Sequence, residues 1–324
     1  MSLENYAKKF SQLRSDHNAK WPDASLGRSP YKPLLLLAVM DLLAQGDVTT
    51  NLIQLTPELG DIFHLYCNQV MPTDWRCNIA MPFFHMSREG FWSLKPMPGK
   101  EAVIASGRRL QSESLLLENV AGAALDDELY SLMCVEKSRN MLRAVIIETY
   151  FDESTRKRLL VQTTINAEAF NYSQQLLDGI LKKESKVKER AEPYSPTGRD
   201  QGFRRAVVLA YNHRCALCGI RMLTPDGHTA VAAAHIIPWS VSHNDDPRNG
   251  MALCHLCHWT FDKGLLGVSD TYRVLTSPRL STDKNVPGHL VTLSSREILG
   301  PFEKELWPDV GSLKWHLKEV FRKG

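Results

Sequence analysis

Two pairs of cysteines at C-x-x-C spacing constrain this chain more than any other feature. They are Cys215/Cys218 and Cys254/Cys257. Each C-x-x-C turn places two sulfurs on one side of a metal ion, so the two pairs together can complete a tetrahedral shell of thiolates. The spacing therefore predicts a structural Zn²⁺ that holds the intervening segment in a short, stapled fold.

The composition is typical of a globular protein of about two domains, with 324 residues of which 43% are hydrophobic and 23% charged. The longest apolar run, Leu34 to Met40, is far shorter than the roughly 20 residues that span a bilayer. The N-terminus mixes charges and lacks the apolar core of a secretory signal. The seven cysteines are an odd number, which does not suit a disulfide framework. We expect a cytoplasmic protein without a membrane segment.

Positive charge is concentrated in the C-terminal part of the chain. Residues 199–324 carry 16 Lys/Arg against 12 Asp/Glu, whereas residues 1–181 carry 18 against 21. Nucleic acid binding needs local cationic patches more than a basic total. The net charge of +3 is therefore compatible with DNA binding.

The apolar pattern of the N-terminal part predicts helices around one hairpin. Pro33 is suited to a helix start, which predicts a helix over residues 32–44. A β-hairpin is predicted for residues 83–94, with its turn at 87–90. A helical pattern returns over residues 114–151.

A charged and turn-rich segment, residues 182–200, separates two predicted domains. The N-terminal domain is expected at 1–181 and the C-terminal domain at 201–324. Within the C-terminal domain, a short helix at 203–211 is predicted before the first cysteine pair. An amphipathic helix at 313–321 is predicted to close the chain.

The residues between and after the cysteine pairs supply what phosphodiester hydrolysis requires. The reaction needs a base that deprotonates water, a cation beside the phosphoryl oxygens and a group that orients the base. His235 and His258 supply imidazoles, which act as bases near neutral pH and as ligands of divalent ions, and Asn249 supplies an amide. These residues predict a hydrolytic metal site.

The order of these residues resembles the HNH, or ββα-metal, nuclease superfamily. The matching motifs are A-H-I-x-P at 234–238, N-G-x-x-L-C at 249–254 and C-H-x-x-F-D at 257–262. The resemblance implies that His235 is the general base at the end of the first strand. It implies that His258, on the following helix, ligates a catalytic divalent ion such as Mg²⁺ or Mn²⁺, and that Asn249 orients the base or helps hold the metal site.

One position departs from the HNH pattern. Many HNH enzymes have an Asp or His ligand directly before the base, where this chain has Ala234. Asp262 lies one helical turn after His258 and is a candidate for the missing ligand, with local pairing as the alternative. The non-catalytic alternative for the whole motif is a zinc ribbon without activity.

Two N-terminal motifs resemble the sulfur-binding domain of phosphorothioate-dependent, or type IV, restriction enzymes. They are G-R-S-P-Y-K-P at 27–33, followed by four leucines, and M-P-F-F-H-M at 81–86, followed by G-F-W at 90–92. In that family a reader domain binds DNA whose backbone carries a non-bridging sulfur, and an HNH domain cuts nearby. The resemblance implies such a reader over about residues 25–150.

The chemistry of sulfur suggests which residues of these motifs meet DNA. Sulfur is larger, more polarisable and a poorer hydrogen-bond acceptor than oxygen, so it should favour an apolar cup with cations nearby. Pro82 is the candidate for the cup and His85 for its edge. Arg28, Tyr31 and Lys32 are the candidates for contacts with the DNA backbone.

Together these features predict an α+β chain of two domains: an N-terminal mixed α/β DNA reader and a C-terminal zinc-stapled ββα-metal HNH nuclease. The predicted function is a modification-dependent endonuclease of a restriction or antiviral defence system, acting on double-stranded DNA. Because one ββα-metal site cuts one strand, duplex breaks require either a homodimer or two successive events.

Three other functions fit the same residues. The N-terminal domain could read another modification, such as a modified cytosine, through an aromatic pocket. The chain could be a zinc-dependent DNA-binding protein whose metal shell no longer supports cleavage. It could also be a homing or mobile-element nuclease that cuts unmodified DNA at a long specific site.

Overall fold

The computed structural model describes residues 2–18, 20–106, 109–182, 194–224, 227–282 and 284–323. The chain divides into two units. The first comprises residues 1–167 with 224–228, and the second comprises residues 168–223 with 229–324. None of the helices in the described ranges has the length and apolar character needed to cross a bilayer.

Helices and a two-stranded antiparallel sheet form the first unit. Its elements are α1 (Leu3–Ser11), α2 (Tyr31–Gln45), α3 (Pro57–Val70), α4 (Ala80–His85), β1 (Trp92–Pro96), α5 (Glu101–Ala105), α6 (Glu113–Asn119), β2 (Val120–Leu125), α7 (Asp127–Cys134), α8 (Glu136–Tyr150) and the beginning of α9 (Glu153–Leu181).

The core of the first unit is built around α2. Every residue of this helix from Lys32 to Leu43 is buried. A helix that is apolar on all sides needs neighbours on all sides, and α3, α4, α7 and α8 pack against it. The prediction of a helix over residues 32–44 is confirmed, with Pro33 in its first turn.

A buried polar cluster interrupts the apolar face of α2. The Asp41 carboxylate lies 2.8 Å from the Arg143 guanidinium. The same carboxylate accepts hydrogen bonds from the Tyr66 hydroxyl, at 2.7 Å, and from the Asn166 amide, at 2.8 Å. Burial and the neighbouring Asp41 raise the pKa of Tyr66, so its hydroxyl stays protonated and donates. This cluster ties α2, α3, α8 and α9 together.

Asp41→Asn is expected to destabilise the first unit. The substitution leaves the charge of Arg143 buried without a counter-charge, which typically costs about 3–5 kcal/mol. Urea unfolding of the full chain measures the change. Glu153→Gln is the control, since it removes a carboxylate whose side chain is 84% exposed. Equal unfolding curves for the two variants would contradict this account of the cluster.

The predicted hairpin over residues 83–94 is wrong. Residues Ala80–His85 form α4, a short 3-10 helix covers Met86–Glu89, and Gly90 ends it with a φ of 76°. The glycine therefore stops a helix instead of making a hairpin turn. Only Trp92–Pro96 is a strand, and its partner is β2, with Trp92 opposite Leu125. An apolar run this short does not distinguish helix from strand.

Strand β2 also interrupts the segment predicted to be helical over residues 114–151. Its residues Val120–Leu125 pair with β1 on one side, while Ala123 and Ile53 exchange backbone hydrogen bonds of 2.7 and 2.8 Å on the other. A Cβ atom at Gly122 would lie 2.7 Å from the Ile53 carbonyl oxygen. These contacts depend on residues far away in the sequence, which explains why the local pattern did not indicate a strand.

The second unit contains the predicted ββα arrangement. Its elements are the rest of α9, α10 (Pro196–Ala210), β3 (Val231–His235), α11 (Trp239–Ser242), β4 (Gly250–Cys254), α12 (His255–Asp262), β5 (Leu266–Val268), β6 (Val274–Thr276) and α13 (Val310–Glu319). Strands β3 and β4 pair antiparallel, with His235 opposite Gly250. The predicted helix at 313–321 corresponds to α13.

The segment predicted as a linker, residues 182–200, lies only partly within the described residues, because 183–193 fall outside them. Its last five residues are helical, since α10 begins at Pro196. The Ser195 hydroxyl accepts a hydrogen bond from the Gly198 amide and so caps this helix. Serine followed by proline is a strong helix start, although the same residues also favour turns. The two units divide within α9, after residue 167, and not at 181.

Helix α10 packs closely against α9 in the second unit. A Cβ atom at Gly202 would lie 2.8 Å from the carbonyl oxygen of Ala169, and one at Gly198 would lie 2.3 Å from the Glu168 carboxylate. Glu168 also accepts hydrogen bonds from the backbone and the hydroxyl of Ser195. The two glycines let α10 approach α9, so side chains of both helices reach the end of β3.

Candidate active site

The four paired cysteines converge in the second unit. The sulfur atoms of Cys215, Cys218, Cys254 and Cys257 all lie within 4.8 Å of one another, and those of Cys218 and Cys254 are 3.7 Å apart. Cys254 ends β4 and directly precedes α12, while Cys257 lies in the first turn of that helix. This spacing and donor set fit one tetrahedral Zn²⁺.

The pKa values of three of these thiols, Cys215, Cys218 and Cys257, are shifted strongly. Contacts with Cys254 and Cys257 hold the pKa of Cys215 far below its usual range, whereas contacts with Cys215 and Cys254 raise the pKa of Cys257. Burial raises the pKa of Cys218 to about 12. Four neighbouring thiolates repel one another unless a cation lies between them, so the cluster is suited to a divalent ion.

We expect one zinc ion per chain on this cluster. Cys218→Ser should lower the zinc content and the thermal stability of the second unit, because structural zinc contributes on the order of 10 kcal/mol to folding in small modules. Elemental analysis and thermal unfolding measure the two effects. Cys134→Ser is the control, since Cys134 is exposed and outside the cluster. Retention of full zinc content by Cys218→Ser would contradict the assignment.

His235 lies at the C-terminal end of β3, with 19% of its side chain exposed. Its Nε2 atom is 2.9 Å from the Asp245 carboxylate. Its ring stacks on Phe203 of α10, with centroids 3.9 Å apart and an angle of 9° between the planes. The contact with Asp245 thus fixes one edge of the imidazole, and the contact with Phe203 fixes one of its faces.

Asp245 is the centre of a buried polar cluster around the imidazole. Its side chain is 4% exposed and lies 3.2 Å from the Arg199 guanidinium of α10. It also accepts a hydrogen bond of 3.1 Å from the Tyr172 hydroxyl of α9. Burial, and then the charge of Asp245, raise the pKa of Tyr172, so this hydroxyl is a donor. The Arg199 guanidinium in turn lies 3.3 Å from the centre of the Trp239 ring.

Asn249 contacts the loop after His235, not the His235 imidazole. Its side chain is almost fully buried, at 1% exposure. The amide oxygen accepts from the Ile237 backbone, and the amide nitrogen donates to the carbonyl oxygens of Ile237 and Asn244, all at 3.0 Å. Asn249 therefore holds the ends of the loop that carries Asp245, while Asp245 makes the direct contact with His235.

His258 lies on α12 beside Asp262. The His258 Nε2 atom is 3.5 Å from the Asp262 carboxylate, and their side chains are 30% and 53% exposed. Burial raises the pKa of Asp262, against the opposing charge of His258. The pair offers a nitrogen and an oxygen ligand to a divalent ion. Ala234 is buried and has no ligand atom, and within the described ranges only the four cysteines form a larger potential metal-binding group.

The residues of the first reader motif have partners within the first unit. Lys32 is 9% exposed and forms an ion pair with Glu89, whose carboxylate also accepts from the backbone of Arg14. The Tyr31 hydroxyl accepts a hydrogen bond of 2.7 Å from the indole of Trp75. Arg28 is half-buried, and its carbonyl accepts from Ser25. Lys32 can meet DNA only if its pairing with Glu89 changes.

The residues of the second reader motif lie on and after α4. Pro82 is buried, and the half-buried His85 makes a 2.9 Å hydrogen bond with Gln111. Burial, followed by the charges of Arg88, Lys32 and Arg109, lowers the pKa of His85. Arg88 and Arg109 are exposed. His85 therefore marks a positively charged part of the surface of the first unit.

The sequence motifs do not indicate four of the side chains around the His235 imidazole: Tyr172, Arg199, Phe203 and Asp245. Phe203 was predicted only as an apolar residue of a helix. Asp245 lies in the same loop as Asn249, but its burial, which marks it as a carboxylate with partners, is visible only in the structure. Tyr172 and Arg199 had no signal in the sequence, since they come from helices distant from the motif.

Comparison with known families identifies the two parts of the chain. The family model for an HNH endonuclease matches residues 215–269, which include the cysteine cluster, His235 and His258. The second unit thus carries an HNH endonuclease domain. The family model described as ScoMcrA-like, DNA sulfur-binding domain matches residues 4–168, half of the chain. The chain belongs to the family that carries this sulfur-binding domain.

One solved structure, described as a modification dependent TagI restriction endonuclease, is similar to part of this chain. The sequences are 24% identical, the TM-score is 0.27, and the match covers 36% of this chain and 37% of that one. The match thus spans little more than a third of that chain. No curated protein has significant similarity to this chain.

Proposed function

We propose that this protein recognises phosphorothioate-modified DNA through its N-terminal domain and hydrolyses phosphodiester bonds at its HNH site, as part of a cytoplasmic restriction or antiviral defence system. The observation that carries this proposal is the combination, in one chain, of a sulfur-binding domain at residues 4–168 with an HNH endonuclease domain at 215–269. In this proposal the sulfur-binding domain selects modified DNA, and the HNH domain hydrolyses the phosphodiester bond.

In the proposed reaction, His235 removes a proton from a water molecule. The resulting hydroxide attacks phosphorus in line with the bond to the departing 3′-oxygen, which leaves 5′-phosphate and 3′-hydroxyl ends. His258, with Asp262, would hold a divalent ion that stabilises negative charge on the phosphoryl group. Asn249 maintains the loop behind the base through its three backbone hydrogen bonds.

On the reader, the surface around His85 is the proposed site of backbone recognition. Three cations act on this imidazole, and a phosphorothioate is an anion that such a region attracts. Pro82 lies one helical turn before the end of α4 and is buried, so its apolar ring, which would suit sulfur better than oxygen, would contact sulfur only if DNA binding exposes it.

The deciding experiment compares cleavage of two duplexes of identical sequence, one with stereodefined phosphorothioates and one without, in Mg²⁺ or Mn²⁺. Cutting of only the sulfur-bearing duplex is expected. Equal cutting of both would reject sulfur recognition but retain the nuclease. Absence of cutting on both would direct the same assay to duplexes with modified cytosine.

His235→Ala is expected to reduce the cleavage rate by at least about 10²–10⁴-fold, because the general base is lost. Binding of modified DNA should not change, since the reader is intact. Single-turnover cleavage and a fluorescence binding titration measure the two quantities. His243→Ala is the matched control, as His243 is a neighbouring exposed histidine. Wild-type cleavage by His235→Ala would overturn its role.

Binding of modified DNA is expected to strengthen by about threefold to tenfold between about pH 7.5 and pH 5.5. The pKa of His85 is lowered by burial and then by the neighbouring cations, so at a given pH the imidazole carries less charge in the unbound protein than an ordinary histidine does. A bound anion opposes the charges of Arg88, Lys32 and Arg109 and raises that pKa, so binding takes up a proton and is favoured as pH falls. His85→Gln should flatten the dependence in the same titration, and an unchanged slope would argue against His85 as a DNA contact.

A further inference from the structure

We infer that Asp245 is a positioning residue that fixes the tautomer of His235, so that Nδ1 is the atom that takes the proton from water. This inference rests on the proposed role of His235 as general base. It assigns a function to a buried acidic side chain, and through that side chain to Arg199 and Tyr172.

The first argument concerns the protons. A neutral imidazole has one N–H donor and one acceptor nitrogen, and an ionised carboxylate only accepts. The second oxygen of Asp245 accepts a hydrogen bond of 3.1 Å from the Tyr172 hydroxyl and lies 3.2 Å from the Arg199 cation, so the carboxylate acts as an acceptor in this cluster. The 2.9 Å contact with Nε2 of His235 then requires the proton to lie on Nε2, and Nδ1 retains its lone pair.

The second argument concerns orientation. Asp245 fixes the direction of the Nε2–H bond, and the stacked Phe203 ring fixes the plane of the imidazole. Rotation of the ring by 180° would break the first contact, and tilting would break the second. The lone pair on Nδ1 therefore has one direction, and the carboxylate stabilises the imidazolium that forms when Nδ1 takes a proton.

The third argument excludes a metal-ligand role for Asp245. One of its oxygens contacts His235, and the other contacts both Arg199 and Tyr172. The side chain is 4% exposed, so neither oxygen faces solvent where an ion could enter. The carboxylate acts through His235, and it does not touch the DNA or the reacting atoms.

Asp245→Asn provides the direct test. One oxygen of Asp245 accepts a hydrogen bond from the Tyr172 hydroxyl and forms an ion pair with Arg199. The asparagine amide oxygen should therefore take that position, and its NH₂ group should face His235. Nε2 must then accept, and the proton moves to Nδ1. We expect the single-turnover rate constant at saturating DNA to fall by about 10²-fold or more, with an unchanged dissociation constant for DNA. Tyr172→Phe, which keeps the ring and removes one donor, should lower the rate about fivefold.

The tautomer is measured by ¹⁵N NMR of the full chain labelled on histidine. The chain has 11 histidines. The imidazole signal that is absent from the spectrum of His235→Ala is the signal of His235. The wild type should show the Nε2–H form and Asp245→Asn the Nδ1–H form. Asp246→Asn is the matched control, because it removes the neighbouring negative charge. The asparagine can still accept the hydrogen bond from the Arg248 backbone. The rate constant and the tautomer of His235 should both remain those of the wild type.

Two results would overturn the inference: an Nδ1–H form of His235 in the wild type, or a wild-type rate constant in Asp245→Asn and Tyr172→Phe. The tautomer of His235 in the wild type is measured without any substitution of Asp245, so a folding defect of Asp245→Asn does not prevent the test. A wild type that cuts no DNA would reject the proposed function, while the tautomer measurement would still decide the contact between Asp245 and His235.

Discussion

The nuclease site depends on the close packing of four cysteine sulfurs. A two-stranded sheet followed by an eight-residue helix is too small to be stable in water by its own apolar contacts. Cys254 joins β4 to α12, and Cys257 follows within one turn. An ion held by these thiolates and by the Cys215 turn would fix the direction in which α12 leaves the sheet. His258 follows Cys257 directly, so that direction also sets where a catalytic ion would be bound.

A second constraint comes from the helices behind the sheet. A Cβ atom at Gly250 would lie 2.8 Å from the Phe203 ring and 2.7 Å from the Val207 side chain. The same Phe203 ring stacks on His235. The glycine of the N-G motif is therefore required by packing, because it lets one aromatic ring lie against both the backbone of β4 and the face of the His235 imidazole.

The sequence allowed the cysteine cluster, the ββα arrangement and the buried helix α2 to be predicted, because each depends on local spacing. It did not allow the pairing of β1 with β2 to be predicted. The two strands are separated in the sequence, and β2 also pairs with the distant Ile53, whereas the residues at 87–90 resemble a hairpin turn. The same distinction holds at the site. His235 and His258 belong to a local motif, whereas Asp245 becomes significant only when α9 and α10 bring Tyr172 and Arg199 to it.

The origin of those side chains determines how the nuclease could be transferred to another reader. The family match begins at residue 215, yet the groups around the imidazole come from positions 172, 199 and 203. A graft that starts at the first cysteine pair, or at residue 201, would keep the cysteine cluster and both histidines but would lose the hydroxyl and the guanidinium that hold Asp245. A transplantable nuclease has to start inside α9, so natural or engineered fusions should exchange this domain together with that helix.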